Sequence, residues 1–219
     1  MRRGISAPLL QILCKQESEN MARTRATDFE EKRRGILDHA AAVFAEQGME
    51  KASMSQIATH SGVSKALLYH YYPSKDALIY AIIVTHLEEL DQAIQAADAA
   101  DEAAEKRLRR LVGAVLENYR GADNQHKVQL NATSALSDEQ KAGITEIERR
   151  IVRRFSNLLR EINPELDSKE RPLLMPVTMS LFGMMNWVYM WFRDGGRITR
   201  EDYADVATTL ILEGIKAVR

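Results

Sequence analysis

The sequence has a single cysteine, Cys14, no apolar run as long as a membrane span, and no excess of charge of either sign. One thiol makes neither an internal disulfide nor a cysteine-built zinc site, which fits a reducing compartment and removes the zinc-finger classes. Crossing a bilayer takes about 18 or more consecutive apolar residues, so the chain reads as cytoplasmic, with no membrane partner. Lys and Arg number 30 against 31 Asp and Glu, leaving no global basic field to draw in a polyanion. The balance hides a small asymmetry. Residues 1–76 hold 11 basic and 9 acidic side chains, residues 77–219 hold 19 and 22, so any polyanion-binding surface belongs near the N-terminus.

Catalytic signatures are also missing. There is no Gly-x-Gly-x2-Gly or phosphate-binding loop, no Gly-x-Ser-x-Gly and no His-Glu-x2-His. The five histidines, His39, His60, His70, His86 and His126, are scattered without an adjacent nucleophile or metal-ligand spacing. An enzyme is therefore not expected, and neither a catalytic residue, a metal site nor a cofactor is assigned. His126 reads as a satisfied core residue. What is present is an ordinary globular composition, 45% hydrophobic and 28% charged over 219 residues, enough for one or two small domains.

Proline occurs only at positions 8, 73, 164, 172 and 176, so residues 74–163 are free of it, and alternating β-branched runs are absent. The chain reads as all-α with about nine helices. Residues 1–27 are expected to form a disordered extension. Met1-Arg2-Arg3 and the apolar stretch after it imitate a secretory signal, but Pro8 and Gln11 interrupt them and no small-x-small site follows. Met21 opens the basic run Ala22-Arg23-Thr24-Arg25, so residues 1–20 read as an extension upstream of a second start. Apolar residues at three- and four-residue spacing from Phe29 to Phe44, stopped by Gly48, give a helix over 28–47. Ser53 with Gln56 has capping-box spacing for a helix over 54–59, and Ser64 caps another from Lys65 to Tyr71. Pro73 and Ser74 open a long helix whose later turns, through Ile82, Ile83, Leu87 and Leu90, are placed to line or support a pocket. Further helices are expected over about 103–120, 124–135, 138–162, 173–193 and 200–218.

The short pair after Gly48 carries the most specific signal. Ile57, Val63 and Leu68 are inward positions, Ala58 leaves room for a close helix crossing, and Gly62 stands where a three-residue turn needs positive φ. This is the pattern of a DNA-binding helix-turn-helix, the bland alternative being a helical hairpin that binds nothing. Ser64, Lys65, Ala66, Tyr69 and His70 lie on the exposed N-terminal side of the second helix, where they can reach base edges. Tyr71 or Tyr72 is expected to pack inward. Ser53 and Lys75, at helix starts, are placed to hold phosphates.

Gly62-Val63-Ser64-x3-Leu68-Tyr69-x2-Tyr72-x-Ser74-Lys75-x2-Leu78, preceded by Ala41-x-Val43-Phe44-x3-Gly48 and Ser55-Gln56-Ile57-Ala58, resembles the N-terminal domain of the TetR family of bacterial repressors. Tyr72 replaces the usual Phe, and Ser53 keeps a hydroxyl where Thr is common. The resemblance implies a three-helix helix-turn-helix domain over 28–76 and a ligand-binding and dimerisation domain over 77–219. It also implies a homodimer that holds a palindromic operator until a small molecule releases it.

Residues 173–192 are apolar almost all round a helix, so they should be buried on several sides. Val177, Met184 and Trp191, with Ala207 and Ile211 of the last helix, are assigned to the dimer interface. Methionine and aromatic side chains at this density suit either a core or an adaptable apolar pocket. For the pocket, Met185, Trp187 and Tyr189 are the candidates. Arg149, Arg150, Arg153 and Arg154 repeat at four-residue spacing and read as a solvated face or as a clamp for an anionic ligand. Leu181-Phe182-Gly183-Met184-x-Asn186-Trp187-x3-Trp191, Gly196-x-Ile198-Thr199 and the basic start at Met21 are similar to the branch of the family that controls phenylacetate and acyl-CoA catabolism. That resemblance implies an aryl- or acyl-CoA thioester as effector, such as phenylacetyl-CoA. A regulator of drug efflux and a protein-binding helical scaffold are the alternatives.

Overall fold

The computed structural model describes residues 28–132 and 136–217, and the extension expected over 1–27 lies outside them. Among the described residues every regular element is helical, and one isolated bridge, Asp167 to Pro172, is the only strand-like pairing. No helix there is long and apolar enough to cross a membrane. The chain divides into two compact units, Met1–Leu78 and Ile79–Arg219.

The first unit contains α1 (28–47), α2 (Met54–His60), α3 (Lys65–Tyr71) and the first turn of α4 (Lys75–Ala97). Its core is Ile36, Leu37, Ala40, Phe44, Ile57, Ala58, Leu68 and Tyr72. Helices as short as α2 and α3 do not persist alone in water; their caps and their buried residues hold them. At the α2 entry, Ser53 N–H donates to Gln56 Oε1 at 2.9 Å and Gln56 N–H to Ser53 Oγ at 3.3 Å. Ser64 Oγ accepts from Leu67 N–H at 3.1 Å to start α3. Gly62 sits between them at φ +64°, a conformation that side chains other than glycine rarely adopt.

The second unit continues α4 and adds α5 (Ala104–Asn118), α6 (Asp123–Asn131), α7 (Asp138–Ile162), a 3-10 turn at Pro164–Leu166, α8 (Leu174–Asn186), α9 (Val188–Trp191) and α10 (Arg200–Ala217). Helix α5 packs on α7 and α10, and α8 on both of these. Phe155 of α7 meets Phe182 of α8 edge to face, centroids 5.0 Å apart, at the centre of the core. The apolar segment expected as one helix over 173–193 is broken at Trp187. The cause is local: Met190 N–H turns to Trp187 O, and Asn186 O faces His126 Nε2 at 3.2 Å.

Candidate functional site

In the first unit, α3 presents Ser64, Lys65, Ala66, Tyr69 and His70 to solvent, while Leu68 is buried beneath them and Tyr72 closes the core. Tyr69 is 42% exposed, and the Lys65 ammonium lies 5.8 Å from its ring centroid, one helical turn away. Cation and phenol therefore lie together on one helix face, and the His70 ring, exposed next in sequence, leans towards Tyr71 at 5.8 Å. Tyr71 instead packs against Phe29, centroids 5.0 Å apart.

Two positions assigned to phosphate do other work. Lys75 Nζ donates to the carbonyls of Met49 at 2.7 Å, Glu50 at 3.2 Å and Ala52 at 3.4 Å, so it ties the start of α4 to the loop between α1 and α2. Ser53 is engaged by Gln56 in the capping box. In this conformation the polar atoms of both have partners within the chain.

In the second unit, α4, α6, α7 and α8, with Tyr119 just past the end of α5, line a partly open cavity of about 200 Å³ walled by Leu87, Leu90, Ile151, Phe182 and Met179, with Tyr119, Gln129, Glu148 and Asn186 as its polar members. An open groove of about 470 Å³ runs along α7 past Thr145, Arg149, Arg153, Ser156 and Met175. Glu148 and Val152 line both spaces, so cavity and groove share a wall. Tyr119 Oη donates to Asn186 Oδ1 at 2.9 Å, and Gln129 Nε2 to Glu148 Oε1 at 3.1 Å. Burial, and then the Glu148 charge, push the Tyr119 hydroxyl above its ordinary range, so it stays protonated as a donor.

The four arginines divide between two faces, because residues one apart on a helix point about 100° away from each other. Arg149 and Arg153 border the groove. Arg150 and Arg154 turn to the buried carboxylate of Asp91, at 2.6 and 3.2 Å, and Arg150 also reaches Glu88 at 3.4 Å. Of the four arginines, two therefore face the groove and two a carboxylate. The aromatic candidates also shift: Met185 is fully buried, Trp187 is 59% exposed, and Tyr189 stands against His126 with centroids 5.4 Å apart. None of the three lines the cavity.

Behind the polar end of the cavity His86, Tyr119 and His126 form a buried ring cluster, His86 stacked on Tyr119 at 5.9 Å and Tyr119 4.6 Å from His126. Burial, and then the nearby His126, push His86 down to about 4. His126 is lowered by the same desolvation, opposed by its contact with Asn186 O.

Residues assigned to the dimer interface also part company. Ala207 and Ile211 are buried within the protomer, whereas Val177 and Met184 are half-buried and Trp191 is exposed. The outer face of α10 carries Val206 and Leu210, 50% and 61% exposed, and α8 leaves Met175 and Met179 open to solvent.

Residues 36–82 match the bacterial regulatory proteins of the tetR family, and residues 101–215, more than half of the chain, match the tetracyclin repressor-like C-terminal domain. The chain belongs to the TetR family. It is 24% identical over 189 residues to the repressor KstR2 of Rhodococcus jostii (strain RHA1), which covers 84% of this chain and 91% of KstR2. A match of 33% identity over 88 residues to the activator FasR of Mycolicibacterium smegmatis spans only 40% of each chain. Among solved structures, a TetR-family regulator from Bordetella parapertussis 12822 superposes with TM-score 0.76 at 29% identity, covering 84% of this chain and 96% of that one. AibR, solved with isovaleryl coenzyme A and operator DNA, gives TM-score 0.70 at 24% identity over 82% and 97% of the two chains, a likeness of fold.

Within this TetR-family chain the pocket residues that sequence reasoning passed over are Tyr119, Gln129, Glu148 and Asn186. Glu148 left a trace: it follows Ile147 and precedes Ile151 by three residues, at the edge of the buried stripe of α7. Tyr119, Gln129 and Asn186 meet it only through the tertiary fold.

Proposed function

We propose that the protein is a homodimeric repressor that grips a palindromic operator with α3 of each protomer and releases it when an aryl- or short acyl-CoA thioester occupies the second unit. The observation that carries the effector reading is the shared wall between a small cavity bearing Leu87, Leu90, Ile151 and Phe182 and a groove bearing Arg149 and Arg153. An apolar cavity of about 150 Å³ already takes benzene, so about 200 Å³ suits one aromatic ring or a short acyl chain. The groove offers guanidinium groups to phosphates outside. A neighbour of the same fold holds isovaleryl coenzyme A and operator DNA, which supports this ligand class at the level of the fold.

Release requires the ligand to prefer one conformation over the other. Helix α4 is unbroken from Lys75 to Ala97 and contributes Leu87 and Leu90 to the cavity wall. Displacing these leucines tilts α4, and Lys75 passes the movement to the α1–α2 loop through its three carbonyl bonds. A second reading, an efflux regulator sensing hydrophobic cations, draws support from the Glu148 carboxylate in the wall. Arg149 and Arg153 beside it oppose a cation. A thermal-shift screen tests the choice: phenylacetyl-CoA stabilises the protein under the first reading, and only hydrophobic cations do so under the second.

A further inference from the structure

The waist between cavity and groove has a polarity of its own. Glu148 stands on it, held on one oxygen by Gln129 Nε2 at 3.1 Å. The other end of that amide, Gln129 Oε1, is buried and has no hydrogen-bond partner. Asn186 Oδ1 is already taken by the Tyr119 hydroxyl. Of these groups only the Glu148 carboxylate stands on the wall common to both spaces, and it is an acceptor. The nearest positive charges on this path, Arg149 and Arg153, line the groove and not the cavity.

We propose that Glu148 is a specificity-determining residue that excludes free carboxylates and admits their neutral derivatives. A small carboxylic acid filling the apolar cavity would leave its charge at the waist beside Glu148, where like charges in a partly desolvated site repel. A thioester or an amide carries no charge there. Discrimination then comes from a repulsive element. The inference deepens the thioester reading above and rests on it for the identity of the natural ligand, but the selection rule itself concerns charge only.

The test is calorimetric titration of the full-length protein and of Glu148→Gln with three probes: phenylacetate, phenylacetamide and phenylacetyl-CoA, at neutral pH. The wild type should bind phenylacetamide about ten-fold or more tightly than phenylacetate. Glu148→Gln should raise phenylacetate affinity until the two probes are nearly equal. Glu148→Ala is the second variant should the first not fold, and the wild-type preference needs neither. Equal binding of acid and amide by the wild type overturns the proposal, as does no binding of the amide, or a variant that still rejects the acid. A wild type that prefers amide over acid yet ignores phenylacetyl-CoA keeps the selection rule and removes the coenzyme A effector.

Discussion

His86 shows how one buried side chain ties stability to pH. Its Nε2 has no hydrogen-bond partner among the described residues, and its folded pKa of about 4 lies below the ordinary 6.5. Between those values the unfolded chain binds a proton that the folded chain refuses. The stabilisation is therefore complete above pH 6.5 and is lost as pH falls towards 4, by about 3 kcal/mol in all. Urea denaturation of wild type and His86→Leu at pH 7.5, 5.5 and 4.5 should show the stability difference shifting in the variant's favour as pH falls; a constant difference would refute the assignment. On α3, Lys65→Ala or Tyr69→Ala is expected to weaken specific operator binding by about 1–3 kcal/mol if the side chain reads a base. Fluorescence anisotropy against operator and scrambled DNA separates this from a general loss. Gly62, Ile57 and Leu68 were legible in the sequence because a turn and two short helices impose local spacing. Lys75 and Arg150 were not, because their partners lie 26 and 59 residues away.

Each helix face has its own logic, and α7 illustrates it. One face of α7 gives Arg149 and Arg153 to the groove, another gives Arg150 and Arg154 to Asp91. Removing the second pair strands a buried carboxylate, at a cost of about 3 kcal/mol or more; removing the first pair exposes nothing. Accordingly, Arg149→Ala with Arg153→Ala should keep the melting temperature and operator affinity but weaken thioester binding. Arg150→Ala with Arg154→Ala should lower the melting temperature. Calorimetric melts with ligand titrations distinguish the two, and the same outcome for both pairs would contradict the division of faces. The spacing of the arginines was visible in the sequence, but their separation into a carboxylate-bound and a groove-facing pair was not, since Asp91 is an acidic residue among many until α4 and α7 meet. The same holds at Trp187, where no glycine or proline marks the break between α8 and α9.

At the scale of the whole molecule, Val206 and Leu210 on α10 and Met175 and Met179 on α8 leave apolar surface in water, with Trp191 also exposed. Such surface marks an interaction site, and a second copy of the chain is the partner proposed for the α10 part of it, since Met175 borders the groove and Met179 the cavity. Leu210→Glu, a surface change that leaves the protomer core untouched, should convert dimers to monomers in sedimentation velocity at micromolar concentration; a variant that stays dimeric removes α10 from the interface. Helical periodicity foresaw α10, and the two of its residues assigned to the interface, Ala207 and Ile211, lie buried in the protomer beside the exposed Val206 and Leu210. The central claim is that occupation of the second unit controls the grip of the first on DNA. It is tested by anisotropy of labelled DNA from beside the protein's own gene, titrated with phenylacetyl-CoA, coenzyme A or phenylacetate. Release by micromolar phenylacetyl-CoA, with neither of the others matching it, is the expected result; unchanged DNA affinity at saturating thioester, or equal release by the free acid, would contradict it.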